Sequence, residues 1–127
     1  MQSIPAEDSR FRYEGRFDRS NPAAPVVVWQ GSRIAIDFEG SALALRFEWV
    51  EGQNYFDVTV DDTTTVFAVN QAEHNRLTFP QPLGPGRHRL TLFKRSEAAA
   101  GHARFLGIEI ALGAHAWVPP APTYKLK

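Results

Sequence analysis

The stretch Arg33-Ile-Ala-Ile-Asp-Phe-Glu39 decides how this chain is read. Its bulky apolar residues, Ile34, Ile36 and Phe38, occupy every second position. An extended strand puts alternate side chains on one face, so this spacing predicts a strand with one buried and one wet side. The pattern recurs in Ala42-Leu-Ala-Leu-Arg-Phe-Glu-Trp-Val50, where Leu43, Leu45, Phe47 and Trp49 share a face. It recurs again in Asn54-Tyr-Phe-Asp-Val-Thr-Val-Asp61, with Phe56, Val58 and Val60. Glu39-Gly-Ser41 and Glu51-Gly-Gln53 supply turns between them. The three read as consecutive antiparallel strands.

Outward from this centre, further strands are expected at Tyr13–Phe17, Val26–Trp29, Thr64–Val69, Arg76–Phe79, Arg87–Phe93 and Phe105–Leu112. Asp61-Asp-Thr63 and Leu83-Gly-Pro-Gly86 read as turns. The alanine-rich segment Glu97–Gly101 is too short to hold a helix alone. Short strands separated by regular turns give an all-β fold, an antiparallel β-sandwich of the jelly-roll type with about eight to nine strands. Residues 1–12 read as an N-terminal tail and residues 13–113 as the sandwich. Residues 114–127 read as a proline-rich linker, with Pro119-Pro-Ala-Pro122 outside the sandwich. Tyr124-Lys-Leu-Lys127 resumes alternation, as the start of a following domain would.

Composition narrows the function classes. With 127 residues the chain has room for one core and not two. Fourteen basic residues balance fourteen acidic ones, so no excess charge draws it to nucleic acid or an anionic membrane. Its apolar runs are only a few residues long, far from the ~20 of a membrane-spanning helix. The absence of cysteine excludes disulfides, thiol nucleophiles and thiolate zinc sites. The first residues show no apolar core of a signal peptide.

No catalytic motif is visible. Gly-x-Ser-x-Gly and Gly-Asp-Ser are missing, as are a phosphate loop and a dinucleotide fingerprint. The reading is therefore no catalytic residue, no cofactor and no metal. The histidines His74, His88, His102 and His115 are widely spaced. His88 shares parity with Leu90 and Leu92 and reads as a core histidine bonded to backbone. Asp61 and Asp62 read as turn residues in preference to calcium ligands. Glu48 and Asp57 read as solvent-face residues in preference to a glycosidase pair.

Two groups remain as candidates for binding. Trp29, Tyr55, Phe93 and Trp117 are aromatics whose position or parity places them toward solvent. Such rings can stack on sugars or fill a domain interface. Trp49 has core parity instead. In Leu90-Thr-Leu-Phe-Lys-Arg-Ser-Glu97 a strand ends on opposite charges, and Lys94, Arg95 and Glu97 are candidates for a domain contact.

Several pieces together resemble one family. They are Trp29-Gln-Gly-Ser32, Phe38-Glu-Gly-Ser41, Asp57-Val-Thr-Val-Asp61, Gly86-Arg-His-Arg-Leu-Thr-Leu-Phe-Lys-Arg-Ser-Glu97 and Phe105-Leu-Gly107. In this order and spacing they resemble the N-terminal jelly-roll domain of family 2 carbohydrate esterases, the acetylxylan esterase type. The resemblance runs from about Tyr13 to Gly113. It implies a non-catalytic domain packed against an SGNH hydrolase domain that supplies the serine nucleophile and removes acetyl groups from xylan-type polysaccharides. Plant cell-wall polysaccharide is then a second implied partner, and a secreted or periplasmic location is implied. No catalytic residue of the family falls on a matching position. The other readings held beside this one are an autonomous carbohydrate-binding module and a protein-interaction domain with no glycan role.

Overall fold

The computed structural model describes residues 1–27, 30–70, 76–96 and 100–120. Among these residues there are eleven strands and no helix. The strands are β1 (Gln2–Pro5), β2 (Arg12–Glu14), β3 (Val26–Val27), β4 (Arg33–Glu39), β5 (Leu43–Gly52), β6 (Tyr55–Val60), β7 (Thr63–Ala68), β8 (Arg76–Thr78), β9 (Arg87–Lys94), β10 (Gly101–Ile110) and β11 (Ala116–Trp117). Two antiparallel sheets result. One runs β1-β10-β5-β8, with β3 also on β10; the other runs β11-β4-β9-β6-β7, with β2 also on β4.

The alternating segments are strands, but their pairing differs from the expected meander. β4, β5 and β6 follow one another in sequence, yet no two of them are hydrogen-bonded neighbours. The chain crosses from the second sheet to the first and back, so β4 and β6 both pair with β9, and β5 pairs with β10. This alternation between sheets makes the fold an all-β sandwich of jelly-roll type. Periodicity reports which face a residue occupies; it carries no information on which strand lies alongside.

The two strands beyond the expected number lie at the chain's extremes. Residues 1–12 are not a tail: Gln2–Pro5 pairs with Ile110 to Gly107, and Ile4, Ala6 and Phe11 are buried. The residue that permits this is Gly107. Its φ is 126°, and a Cβ there would lie 2.1 Å from the Ile4 carbonyl oxygen. Only glycine allows that approach, which gives a physical reason for the glycine of Phe105-Leu-Gly107. The linker reading is likewise corrected over Ala116 to Pro120. Ala116 and Trp117 pair with Phe38 and Asp37, and Pro119 is buried. Arg12 donates to the carbonyls of Pro119 (2.9 Å) and Pro120 (2.6 Å). The expected strand at Tyr124–Lys127 lies outside the described residues.

The core is aromatic. Phe38, Phe47, Phe56 and Phe105 are fully buried. Phe47 of one sheet stacks on Phe56 of the other with centroids 5.0 Å apart, and Phe105 meets Phe47 edge-on at 5.8 Å. Phe11 closes the cluster edge-on to Phe105 at 5.3 Å. Truncating any one of these rings to alanine would cost about 3–5 kcal/mol. Trp49 packs half-buried against this core, its indole N–H donating to the Gly52 carbonyl at 2.9 Å.

Candidate interaction site

Strand parity builds the site on the outer face of the second sheet. Asp37 sits mid-strand in β4 and projects outward between the inward-facing Ile36 and Phe38. The register sets Asp37 opposite Arg89 on β9 and opposite Trp117 on β11. One row across three strands thus holds an aromatic ring, a carboxylate and a guanidinium.

Asp37 is 3% exposed and gathers two cations. Arg89 donates from Nε to Oδ1 at 2.9 Å and from Nη2 to Oδ2 at 3.3 Å. Arg87 donates from Nη2 and Nε to Oδ2 at 2.9 and 3.2 Å. The Arg87 guanidinium also lies 4.4 Å from the centre of the Trp117 ring, a cation–π distance. Burial by itself raises the Asp37 carboxyl, but the hydrogen bonds and charges of Arg89 and Arg87 outweigh it and hold it below the usual carboxylate range.

The adjoining wall is made by the β6–β7 turn. Asp61 adopts φ 56°, a left-handed conformation that aspartate tolerates at a tight turn. Its Oδ1 accepts from the Arg89 backbone N–H at 2.9 Å and its Oδ2 from His88 Nδ1 at 2.7 Å. The other ring nitrogen, Nε2, donates to the Gly84 carbonyl at 2.7 Å. A carboxylate and a carbonyl can only accept, so both contacts are satisfied together when both ring nitrogens carry protons, and the site favours the imidazolium form of His88. Burial alone would lower its pKa; the bonds to Asp61 and Gly84 together raise it. Burial raises the Asp61 carboxyl, but His88 and Arg89 draw it below its ordinary value.

These groups line a shallow groove of about 490 Å3, its surface set by Asp37, Asp61, Asp62, Arg87, Arg89 and Thr91. Arg89 and Thr91 also line a second hollow of about 150 Å3 that runs on to Arg12 and Pro119–Pro120. The two form one strip across the sheet.

The residues singled out from sequence are only partly brought together. Trp117 borders the strip through its ring contact with Arg87 and its pairing with Asp37, and is not among the residues that line either hollow. Phe93 and Tyr55 lie half-buried on the same face, farther along their strands and outside it. The Phe93 ring lies 5.7 Å from the Arg33 guanidinium. Trp29, Glu97 and His74 lie outside the described residues. The charged corner is corrected at Lys94, which is 0% exposed and points inward with Leu90 and Leu92. Its ammonium donates to the Ser96 carbonyl at 2.8 Å, and burial lowers its pKa. It therefore presents no charge to a partner. Arg95 does face solvent, with its guanidinium 3.6 Å from Asp57. Glu48 and Asp57 stand on the outer faces of opposite sheets, paired with Arg104 and Arg95, and cannot address one bond together. His88 is buried as its parity predicts, and it bonds a carboxylate as well as backbone.

Asp37, Arg87 and Arg89 were not legible as a unit in the sequence. The available signal was an aspartate at the wet parity of an otherwise apolar strand, together with an Arg-x-Arg alternation at the wet parity of another. Nothing local ties the two strands, which are some fifty positions apart, as one opposite neighbour.

An antiparallel sandwich of this kind is a scaffold shared by many unrelated proteins, so the fold by itself assigns no role. Residues 13–120 match the family model described as carbohydrate esterase 2 N-terminal, and the chain belongs to that family. It is 35% identical over 102 residues to the cellulase/esterase CelE of Acetivibrio thermocellus, covering 80% of this chain and 12% of that one. It is 32% identical over 89 residues to an acetylxylan esterase/glucomannan deacetylase of Cellvibrio japonicus, covering 69% of this chain and 23% of that one. Among solved structures, a family two carbohydrate esterase from Clostridium thermocellum in complex with cellohexaose superposes with a TM-score of 0.77 at 33% identity. That match covers 88% of this chain and 34% of the other. The chain thus spans well under two thirds of the length of each of these three relatives.

Proposed function

We propose that this chain is the non-catalytic β-sandwich domain of a polysaccharide deacetylase of the acetylxylan esterase type. It packs against an SGNH hydrolase domain and extends that domain's carbohydrate cleft. The observation that carries the reading is the family match over residues 13–120, in a chain that corresponds to only a minor part of the esterases it resembles. Exposed Arg95 is the described member of the charged corner that remains for the domain contact, beside Glu97, which lies outside the described residues. Its ion pair with Asp57 is long and half in solvent, so it orients more than it stabilises.

The isolated chain should release no acid from an acetylated chromogenic ester, and the chain joined to its hydrolase domain should do so. Turnover by the purified chain above a heat-killed control would overturn the reading. Arg95→Glu should weaken association of the separately expressed domains and leave the fold of the sandwich intact. Unchanged association in analytical ultracentrifugation would remove Arg95 from the interface.

A further inference from the structure

We infer that the strip on the outer face of the second sheet is a binding site for a neutral oligosaccharide. Its volume, about 490 Å3 in the main groove, falls within the range of small-ligand sites, roughly 300–1,000 Å3. Its chemistry is the stronger argument. Arg87 and Arg89 line the groove and each commit Nε and Nη2 to Asp37, and no hydrogen bond among the described residues engages Nη1 of either. The planar carboxylate clamp fixes these donors before any ligand arrives, so their side-chain entropy is already lost. Asp62 and the Thr91 hydroxyl line the same groove and make no hydrogen bond with the described residues. Fixed N–H donors beside a carboxylate acceptor and a hydroxyl suit vicinal hydroxyl groups, which donate and accept at once.

Charge selects against other ligands. Asp37, Asp61 and Asp62 meet Arg87, Arg89 and His88 around the main groove, and the second hollow adds Arg12 and Arg33 against Glu14, so the strip as a whole is close to balanced in charge. A phosphate, a uronate or a nucleic-acid backbone would find no net attraction there. A packed protein domain is a poor fit as well, because the centres of such interfaces are depleted in charge. A neutral, hydroxyl-rich chain in a wet groove meets neither objection.

The choice of plant-type sugars as probes rests on the accessory-domain reading; the site itself does not. The experiment is a 1H–15N NMR titration of the 127-residue chain with xylohexaose, mannohexaose, trigalacturonate and inorganic phosphate at millimolar concentration. A neutral hexaose should shift the amides of Asp62, Arg89 and Thr91 and the Trp117 indole N–H. The double substitution Asp62→Asn with Thr91→Val should weaken binding by at least about tenfold, through loss of the Thr91 hydrogen bond and of the charge on the Asp62 acceptor. Arg46→Ala, on the opposite sheet, should leave it unchanged. Peak dispersion away from the groove reports whether each variant is folded, and Asp62→Asn alone serves if the double variant is not. Shifts confined to another face, shifts with the anions only, or none with either neutral sugar would overturn the inference. Sugar binding by a chain whose fused hydrolase domain removes no acetyl groups would instead overturn the accessory-domain reading and leave the site standing.

Discussion

The two ends of strand β9 place a basic side chain on the same inward parity and treat it differently. His88 is the second residue of the strand and Lys94 the last, with Leu90 and Leu92 between them on the same face. All four face the core, because strand parity does not distinguish a lysine from a leucine. At the His88 end, Asp61 and Gly84 hold the ring by both nitrogens, and the resulting cation belongs to the wall of the groove. At the Lys94 end, the ammonium is drawn onto the Ser96 carbonyl and the charge is withdrawn from the surface. The lesson is that register decides burial, whereas the neighbouring turn decides which acceptors a buried cation meets.

The largest effect should come from reversing the charge at Lys94. Lys94→Glu turns a carboxylate toward the Ser96 carbonyl in a fully buried position and should cost more than about 3 kcal/mol in urea unfolding. Lys94→Met keeps the length of the side chain and loses the bond to Ser96, so about 1–2 kcal/mol is expected. Equal losses in the two variants would show that the ammonium itself, and not the avoidance of a buried anion, sets stability at this end.

A smaller effect is expected at the other end. Asp61→Asn keeps a turn-forming side chain and removes the negative charge facing His88. Because Asp61 is half in solvent, the loss should be on the order of 1 kcal/mol. Histidine NMR should show the His88 pKa falling in this variant. A His88 pKa that does not move would mean that Asp61 is not what keeps the ring charged.

The finest test is that the two ends should respond to pH with opposite signs. His88 has a raised pKa in the fold, so its contribution is complete below the unfolded value of about 6.5 and is lost as pH rises through the folded value. Asp61 has a lowered pKa, so its contribution is present above about 3.9 and is lost as pH falls through its folded value. Their contact is therefore strongest between about pH 4 and 6.5. Lys94 has a lowered pKa, so the unfolded chain binds more protons in the alkaline range, and this end gains stability as pH rises toward about 10.4. Urea midpoints measured at about pH 6 and about pH 9 should show the penalty of Asp61→Asn shrinking with pH. From about pH 9 upward the Lys94→Met variant should lack the gain that the parent shows. Parallel pH profiles for parent and both variants would remove the distinction between the two ends.

Much of the fold was readable because period-two patterning is a local property. Ile34, Ile36 and Phe38, or Phe56, Val58 and Val60, announce both the strand and its inner face. The same rule placed His88 inside, and applied to Lys94 it would have placed that residue inside too. Reading the lysine by its charge instead put it at the surface. Gln2–Pro5 was missed because one buried residue, Ile4, is too little pattern to define a strand, and its partner is more than a hundred residues away. Trp117 was legible as an exposed aromatic, but not as a neighbour of Asp37 and Arg87.

The sequence by itself determined most of the strands and the side their alternating apolar residues face, which follow from residues close together along the chain, and the family, which follows from the order of short motifs. Tertiary structure alone decided that β4 lies beside β9 and β11, and so that Asp37, Arg87, Arg89 and Trp117 form one surface. That choice depends on how the connections cross between two sheets. The crossing is fixed by the joint burial of Phe38, Phe47, Phe56 and Phe105, which no single segment encodes.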